Sequence, residues 1–178
     1  MTLPETFLLT ENDWVPNNPS SPILVYRDLA SGDREDLARH VETRFAHHGW
    51  PPQWRDTIYD YHHYHSTAHE ALGIAAGTTT LTLGGPGGRV VAVAAGDVLV
   101  LPVGTGHCRT AASADFLVVG AYPEGQDWDI CREAPSPEAR ERIATFPAPA
   151  CDPVTGASLT DRWPAIAEPD PSRGRASP

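Results

Sequence analysis

Polar and apolar positions alternate along this chain in two rhythms, and the change from one to the other organises it. Over residues 33 to 48, Leu37, Val41 and Phe45 recur every four positions with Ala38 beside them, the stripe of a helix with one buried face. Ser31 or Asp33 can cap its start, and Glu35 and Asp36 lie in the first turn, where the helix dipole favours acids. Gly49 and then Pro51-Pro52 stop it. The stripe is narrow, so this helix is expected to pack on the outside of something else. From Trp54 to Tyr122 the period becomes two. Runs at 55–65, 70–76, 78–83, 89–94, 97–101, 107–110 and 115–121 read as strands, with Gly84-Gly85-Pro86-Gly87-Gly88 a tight connection between two of them. Seven strands in under 70 residues leave no room for crossover helices. Antiparallel pairing in a closed or sandwiched sheet follows.

The flanks differ. Residues 1–30 read as an extended N-terminal arm: Phe7-Leu8-Leu9, a breaker-rich loop Val15-Pro16-Asn17-Asn18-Pro19, then Ile23-Leu24-Val25-Tyr26. Residues 31–150 form the expected β domain, and Ser136-Pro137-Glu138 starts a second helix whose apolar face is Ala139, Ile143 and Phe146. Residues 151–178 are a C-terminal extension ending in a Pro-, Ser- and charge-rich tail expected to be disordered.

Composition supports a single β-rich domain: 18 prolines and 15 glycines in 178 residues break the chain too often for a helix bundle. A formal net charge of −10 with no Lys/Arg cluster argues against nucleic acid and anionic membranes as partners. No apolar run approaches the ~20 residues a membrane span needs. Met1-Thr2-Leu3-Pro4-Glu5 has no basic, apolar leader character, and three scattered cysteines (Cys108, Cys131, Cys151) lack CxxC spacing. A cytoplasmic protein is expected.

Histidines carry the chemistry. Five of the eight lie between His62 and His107. On a strand, His63 and His65 share a face about 7 Å apart, close enough for two imidazoles to converge on one ion. Glu70, opening the next strand, can bring a carboxylate to the same point. Gly96 through Leu101 is an apolar strand, and the Pro102-Val103-Gly104-Thr105-Gly106 turn presents His107 across from the pair. His69 adjoins Glu70 and can either replace it or support it. Tyr59 and Tyr61 share the parity of His63 and His65, and the Tyr61 hydroxyl can orient a substrate oxygen. Arg109 shares the parity of His107 and can hold an anionic substrate, the alternative being a salt bridge at the domain's mouth. His62 and Cys108 have the opposite parity and read as structural. Trp128, between Asp127 and Asp129, reads as either a lid or a dimer contact.

These residues match a known pattern. His-x-His, four residues, Glu70, six residues, Gly77 resembles the first cupin motif; Gly96, five residues, Pro102, one residue, Gly104, two residues, His107 resembles the second. Thr57 stands where the first often opens on glycine, and Ala111 where the second can close on asparagine; neither position is a ligand. Pro16-Asn17-Asn18-Pro19, His62 through Glu70, Gly120-Ala121-Tyr122-Pro123 and Asp152-Pro153-Val154-x-Gly156 extend the likeness to the YjlB-type cupin proteins over most of residues 15 to 156. The resemblance implies a mainly β fold, an antiparallel jelly-roll (RmlC-like cupin) barrel with one or two flanking helices. It also implies a homodimer with a metal site.

Three imidazoles and a carboxylate suit one divalent ion, Fe, Mn, Ni, Co or Zn. The expected function is a metal-dependent enzyme of oxygenase, isomerase or decarboxylase type on a small polar molecule. The alternative is a non-catalytic sugar- or organic-acid-binding protein with a structural metal. An apolar arm and the edges of a small β domain add to the expectation of a homodimer.

Overall fold

Asp33 caps helix α1 (Arg34–His47): its Oδ1 accepts from the amides of Glu35 at 3.0 Å and Asp36 at 2.9 Å. The helix ends at Gly49, whose φ of +80° is open to glycine at little cost. Its buried stripe is the one the spacing predicts, Leu37, Ala38, Val41 and Phe45. This is a computed structural model, and it describes residues 3–163; the expected tail lies outside the described residues.

Among the described residues nine strands and a second helix complete the fold. They are β1 (Glu5–Phe7), β2 (Ile23–Tyr26), β3 (Pro52–Asp56), β4 (Glu70–Ala76), β5 (Thr78–Leu83), β6 (Arg89–Ala94), β7 (Val98–Leu101), β8 (His107–Ala112) and β9 (Leu117–Ala121), followed by α2 (Pro137–Thr145). Ser136 caps α2 through its Oγ, which accepts from Ala139 N. Every pairing is antiparallel, in a six-stranded sheet β1-β2-β7-β4-β9-β3 and a three-stranded sheet β6-β5-β8. The described residues form a mainly β fold with two helices.

The central strands of the larger sheet are buried on both faces, which is why β2, β4, β7 and β9 read as continuous apolar runs. Leu72, Ile74, Leu99, Leu101 and Val118 meet Leu81, Leu83, Val91 and Val93 of the smaller sheet. Ala71, Ala75, Val98, Val100 and Val119 turn the other way onto α1 and onto Trp50 and Trp163. The helix approaches so closely that a Cβ at Gly73 would overlap Val41. The arm does not stand apart. β1 and β2 extend the six-stranded sheet, and Asn17 donates to Gly84 O at 3.1 Å while accepting from Gly106 N at 3.0 Å.

One expected strand departs from regularity. Of the run read at 55–65 only Arg55 and Asp56 pair as a strand, at the end of β3; the chain bends at Asp60 and Tyr61, and His63 then bridges His107. Across that stretch β8 offers only spaced contacts, Arg109 N to Tyr59 O at 2.9 Å and the His63–His107 exchange. Among the described residues no helix is long and apolar enough to cross a membrane.

Candidate metal centre

Buried polar residues collect where β4 and β8 begin. β4 opens with Glu70, whose parity with Leu72 and Ile74 aims it between the sheets. β8 opens with His107, set by the turn in which Gly104 takes φ +87°, a conformation that strains any side chain. His63 exchanges backbone bonds with His107 at 3.2 and 2.9 Å, and His65 O accepts from Gly104 N at 2.8 Å. Both residues are thereby brought against the same turn.

The three imidazoles face one another, with candidate ligand atoms all within 4.8 Å of one another and every residue buried. Each ring has its Nδ1 against a backbone carbonyl: His63 on Tyr61 O at 3.1 Å, His107 on Thr105 O at 3.0 Å, and His65 on Asp129 O. A carbonyl can only accept, so each Nδ1 is the donor and each neutral ring presents a bare Nε2 lone pair. Three different loops enforce the same tautomer.

Glu70 lies against two of these nitrogens, Oε1 3.4 Å from His65 Nε2 and Oε2 3.1 Å from His107 Nε2. Burial works to raise its carboxyl, but the imidazoles of His65 and His107 outweigh it and hold it well below the ordinary range. Burial, reinforced by His107, pushes His63 down to about 3, so that ring stays neutral. At His65 burial again favours the neutral ring, yet Glu70 and the Asp129 carbonyl turn the net direction upward. Lone pairs facing a buried carboxylate repel unless a cation or a proton lies between them. His65 Nε2 and Glu70 Oε2 are buried without a hydrogen-bond partner. The donor set and its orphaned atoms fit a metal ion.

Several supporting groups are not legible from the motifs. Tyr122 donates to Glu70 Oε1 at 2.8 Å, and Trp54 Nε1 donates to the Tyr122 oxygen at 3.0 Å. Burial and the neighbouring Glu70 raise the Tyr122 hydroxyl, which keeps it a donor. The parity of Val118, Gly120 and Tyr122 on one strand was the available signal. Asp129 holds His65 by its carbonyl and Ser66 by its carboxylate, at 2.6 Å to the amide and 2.5 Å to the hydroxyl. It lies in an irregular segment where periodicity says nothing.

His69 is engaged elsewhere. Its Nδ1 accepts from Val103 N at 2.9 Å and its Nε2 donates to Pro147 O at 3.1 Å, leaving no lone pair for an ion. Burial lowers its pKa to about 4, although the bond to Pro147 opposes that. In the unfolded chain an imidazole protonates near 6.5. Between pH 6.5 and 4 the unfolded state therefore binds more protons. The stability His69 confers is whole above pH 6.5 and is lost as the pH falls towards 4, by up to about 3 kcal/mol. Chemical denaturation of metal-free protein should show this fall, and His69→Gln should be less stable at pH 8 with a shallower pH dependence. An unchanged pH slope in the variant would contradict the assignment.

A cavity of about 240 Å³ opens onto the centre, walled by Trp54, Ile58, Tyr59, Leu72 and Trp128. Neither Tyr61 nor Arg109 lines it. Tyr61 stacks on Tyr59 at 4.8 Å with the Arg132 guanidinium 4.0 Å over its ring. Arg109 donates from Nε to Ile58 O at 2.9 Å and has a terminal nitrogen 4.0 Å from Asp60.

Fold and site together define a β-rich protein with a buried three-histidine group that can hold a metal ion. The chain is 35% identical over 154 residues to the uncharacterized protein YjlB of Bacillus subtilis (strain 168), a match spanning 85% of this chain and 90% of the relative. It belongs to the YjlB family. No protein-family model matches the sequence.

Proposed function

We propose that this protein is a jelly-roll barrel of the cupin type. In this reading it holds one divalent ion through His63, His65, Glu70 and His107 and acts as a metal-dependent enzyme on a small molecule. The carrying observation is the set of three Nδ1–carbonyl bonds, which leaves three bare Nε2 atoms around a buried carboxylate. The two motifs, in order and with all four ligand positions filled, support the cupin reading.

Three nitrogens and one oxygen suit Fe, Mn, Ni or Co with positions to spare, and Zn in a closed tetrahedron. Such an ion supplies Lewis acidity and, for iron or manganese, redox chemistry, which fits oxygenation, isomerisation or decarboxylation. The chain's part is orientation. Tyr122, itself held by Trp54, fixes the Glu70 carboxylate, and the Asp129 carbonyl fixes the His65 ring. Trp54, Ile58, Leu72 and Trp128 give the space in front of the centre apolar walls. The three free cysteines fit a cytoplasmic setting, and the outer edge of β1 offers a pairing surface for a homodimer.

Catalysis requires an open coordination position. Cobalt-loaded protein should change its visible absorption spectrum on addition of azide, with about one azide bound per cobalt. A cobalt spectrum unmoved by azide would make the ion structural and favour a binding protein over an enzyme.

A further inference from the structure

A ligand in this cavity meets an unusual distribution of charge. The formally charged residues lining it are Glu70 and Asp56, both acidic, and no lysine or arginine is among the lining residues. The nearby guanidinium of Arg109 is bonded to Ile58 O, and that of Arg132 covers Tyr61 on the far side of the Tyr59 stack. A dicarboxylate or phosphate would bring a second negative charge to apolar walls with no cation to receive it, a costly desolvation.

The walls say what would be received instead. Tyr122 and Trp128 stack nearly parallel, with centroids 5.4 Å apart and planes at 17°, and both present edges to His65. Trp54, Ile58 and Leu72 complete an apolar slot. The Trp54 N–H is spent on Tyr122 and the Tyr122 O–H on Glu70, so these walls offer few free donors. Polar recognition is left to the centre itself. The volume of about 240 Å³ is larger than the ~150 Å³ that accepts benzene in an engineered apolar cavity. That is room for one substituted ring and not for two.

Building on the metal-centre reading above, we propose that the substrate is a single flat ring carrying adjacent metal-binding oxygens, of the phenol, enol or catechol class. It carries at most one negative charge and lies between Trp128 and the Ile58–Leu72 wall with its oxygens toward the histidines.

The test is calorimetric and fluorimetric titration of nickel-loaded protein with catechol and, separately, malonate, with bound nickel measured before and after. Catechol should bind the nickel-loaded protein at least about tenfold more tightly than malonate and quench tryptophan emission. Trp128→Ala should weaken catechol about tenfold while still holding one nickel per chain. Malonate binding as tightly as catechol, or catechol binding nickel-loaded Trp128→Ala as well as the unaltered protein, would overturn the assignment while leaving the metal centre standing. Failure to take up nickel at all would overturn both.

Discussion

Replacing His65 with alanine should abolish metal binding, leaving less than a tenth of an equivalent where the unaltered protein holds one. His65 is tied on both sides, by its Nδ1 to the Asp129 carbonyl and by the 2.8 Å bond from Gly104 N to its own carbonyl, so no neighbouring side chain can move into its place. His69, four residues on, has both nitrogens engaged with Val103 and Pro147. Loss of a group that merely orients a ligand costs about 10–100-fold in metal affinity, and loss of the ligand itself must cost more. Equilibrium dialysis with elemental analysis checks this, with circular dichroism confirming that the variant folds. A folded His65→Ala protein that keeps a full equivalent of metal would remove His65 from the site.

The second large effect is on stability. Trp54 of β3 stands opposite Gly120 of β9, and a Cβ at Gly120 would overlap the indole ring. The ring is not free to swing away, since its Nε1 is bonded to Tyr122 OH at 3.0 Å. Gly120→Ala should therefore cost about 2–4 kcal/mol, from overpacking and the lost hydrogen bond. That corresponds to a fall in Tm of roughly 5–15 °C for a chain of this size. Gly32→Ala is the control: its Cβ would rest 3.5 Å from Asp36 Cβ, an ordinary contact. Thermal unfolding of both variants decides the matter, and a Gly120→Ala protein melting within 1–2 °C of the unaltered chain would mean that Trp54 does not lie where it is described.

Much of the fold was legible because its elements carry their own punctuation. The stripe Leu37, Val41, Phe45 and the stops at Gly49 and Pro51 delimit α1 within a residue or two, and Ser136-Pro137 marks the start of α2. β6 keeps the period of two, whereas β4, β7 and β9 are buried throughout and were legible as short apolar runs between turn residues. What failed was the assumption that one rhythm persists. The stretch from Thr57 to His65 looks like a strand, but Asp60 and Tyr61 bend it, and the parity that Tyr59 and Tyr61 share with His63 and His65 does not carry across the bend. Tyr59 therefore lines the cavity while Tyr61 packs under Arg132.

Glu70 and His107 were visible because each opens a strand, β4 and β8, while His63 and His65 were visible as a spacing alone, since they lie between β3 and β4. Their supports were not. Tyr122 reaches Glu70 across 52 positions and Asp129 reaches His65 across 64, contacts set by sheet order that no local period encodes. The burial of β2 against β7 likewise depends on a partner far along the chain.

The central claim is that these bare imidazole nitrogens and the buried carboxylate exist to hold one ion. Elemental analysis of protein purified anaerobically without chelator tests it most directly. One equivalent of a divalent transition metal per chain, retained through dialysis at pH 7.5, is the result expected. Protein that carries no metal as purified and takes up none when iron, manganese, cobalt, nickel and zinc are offered would contradict it.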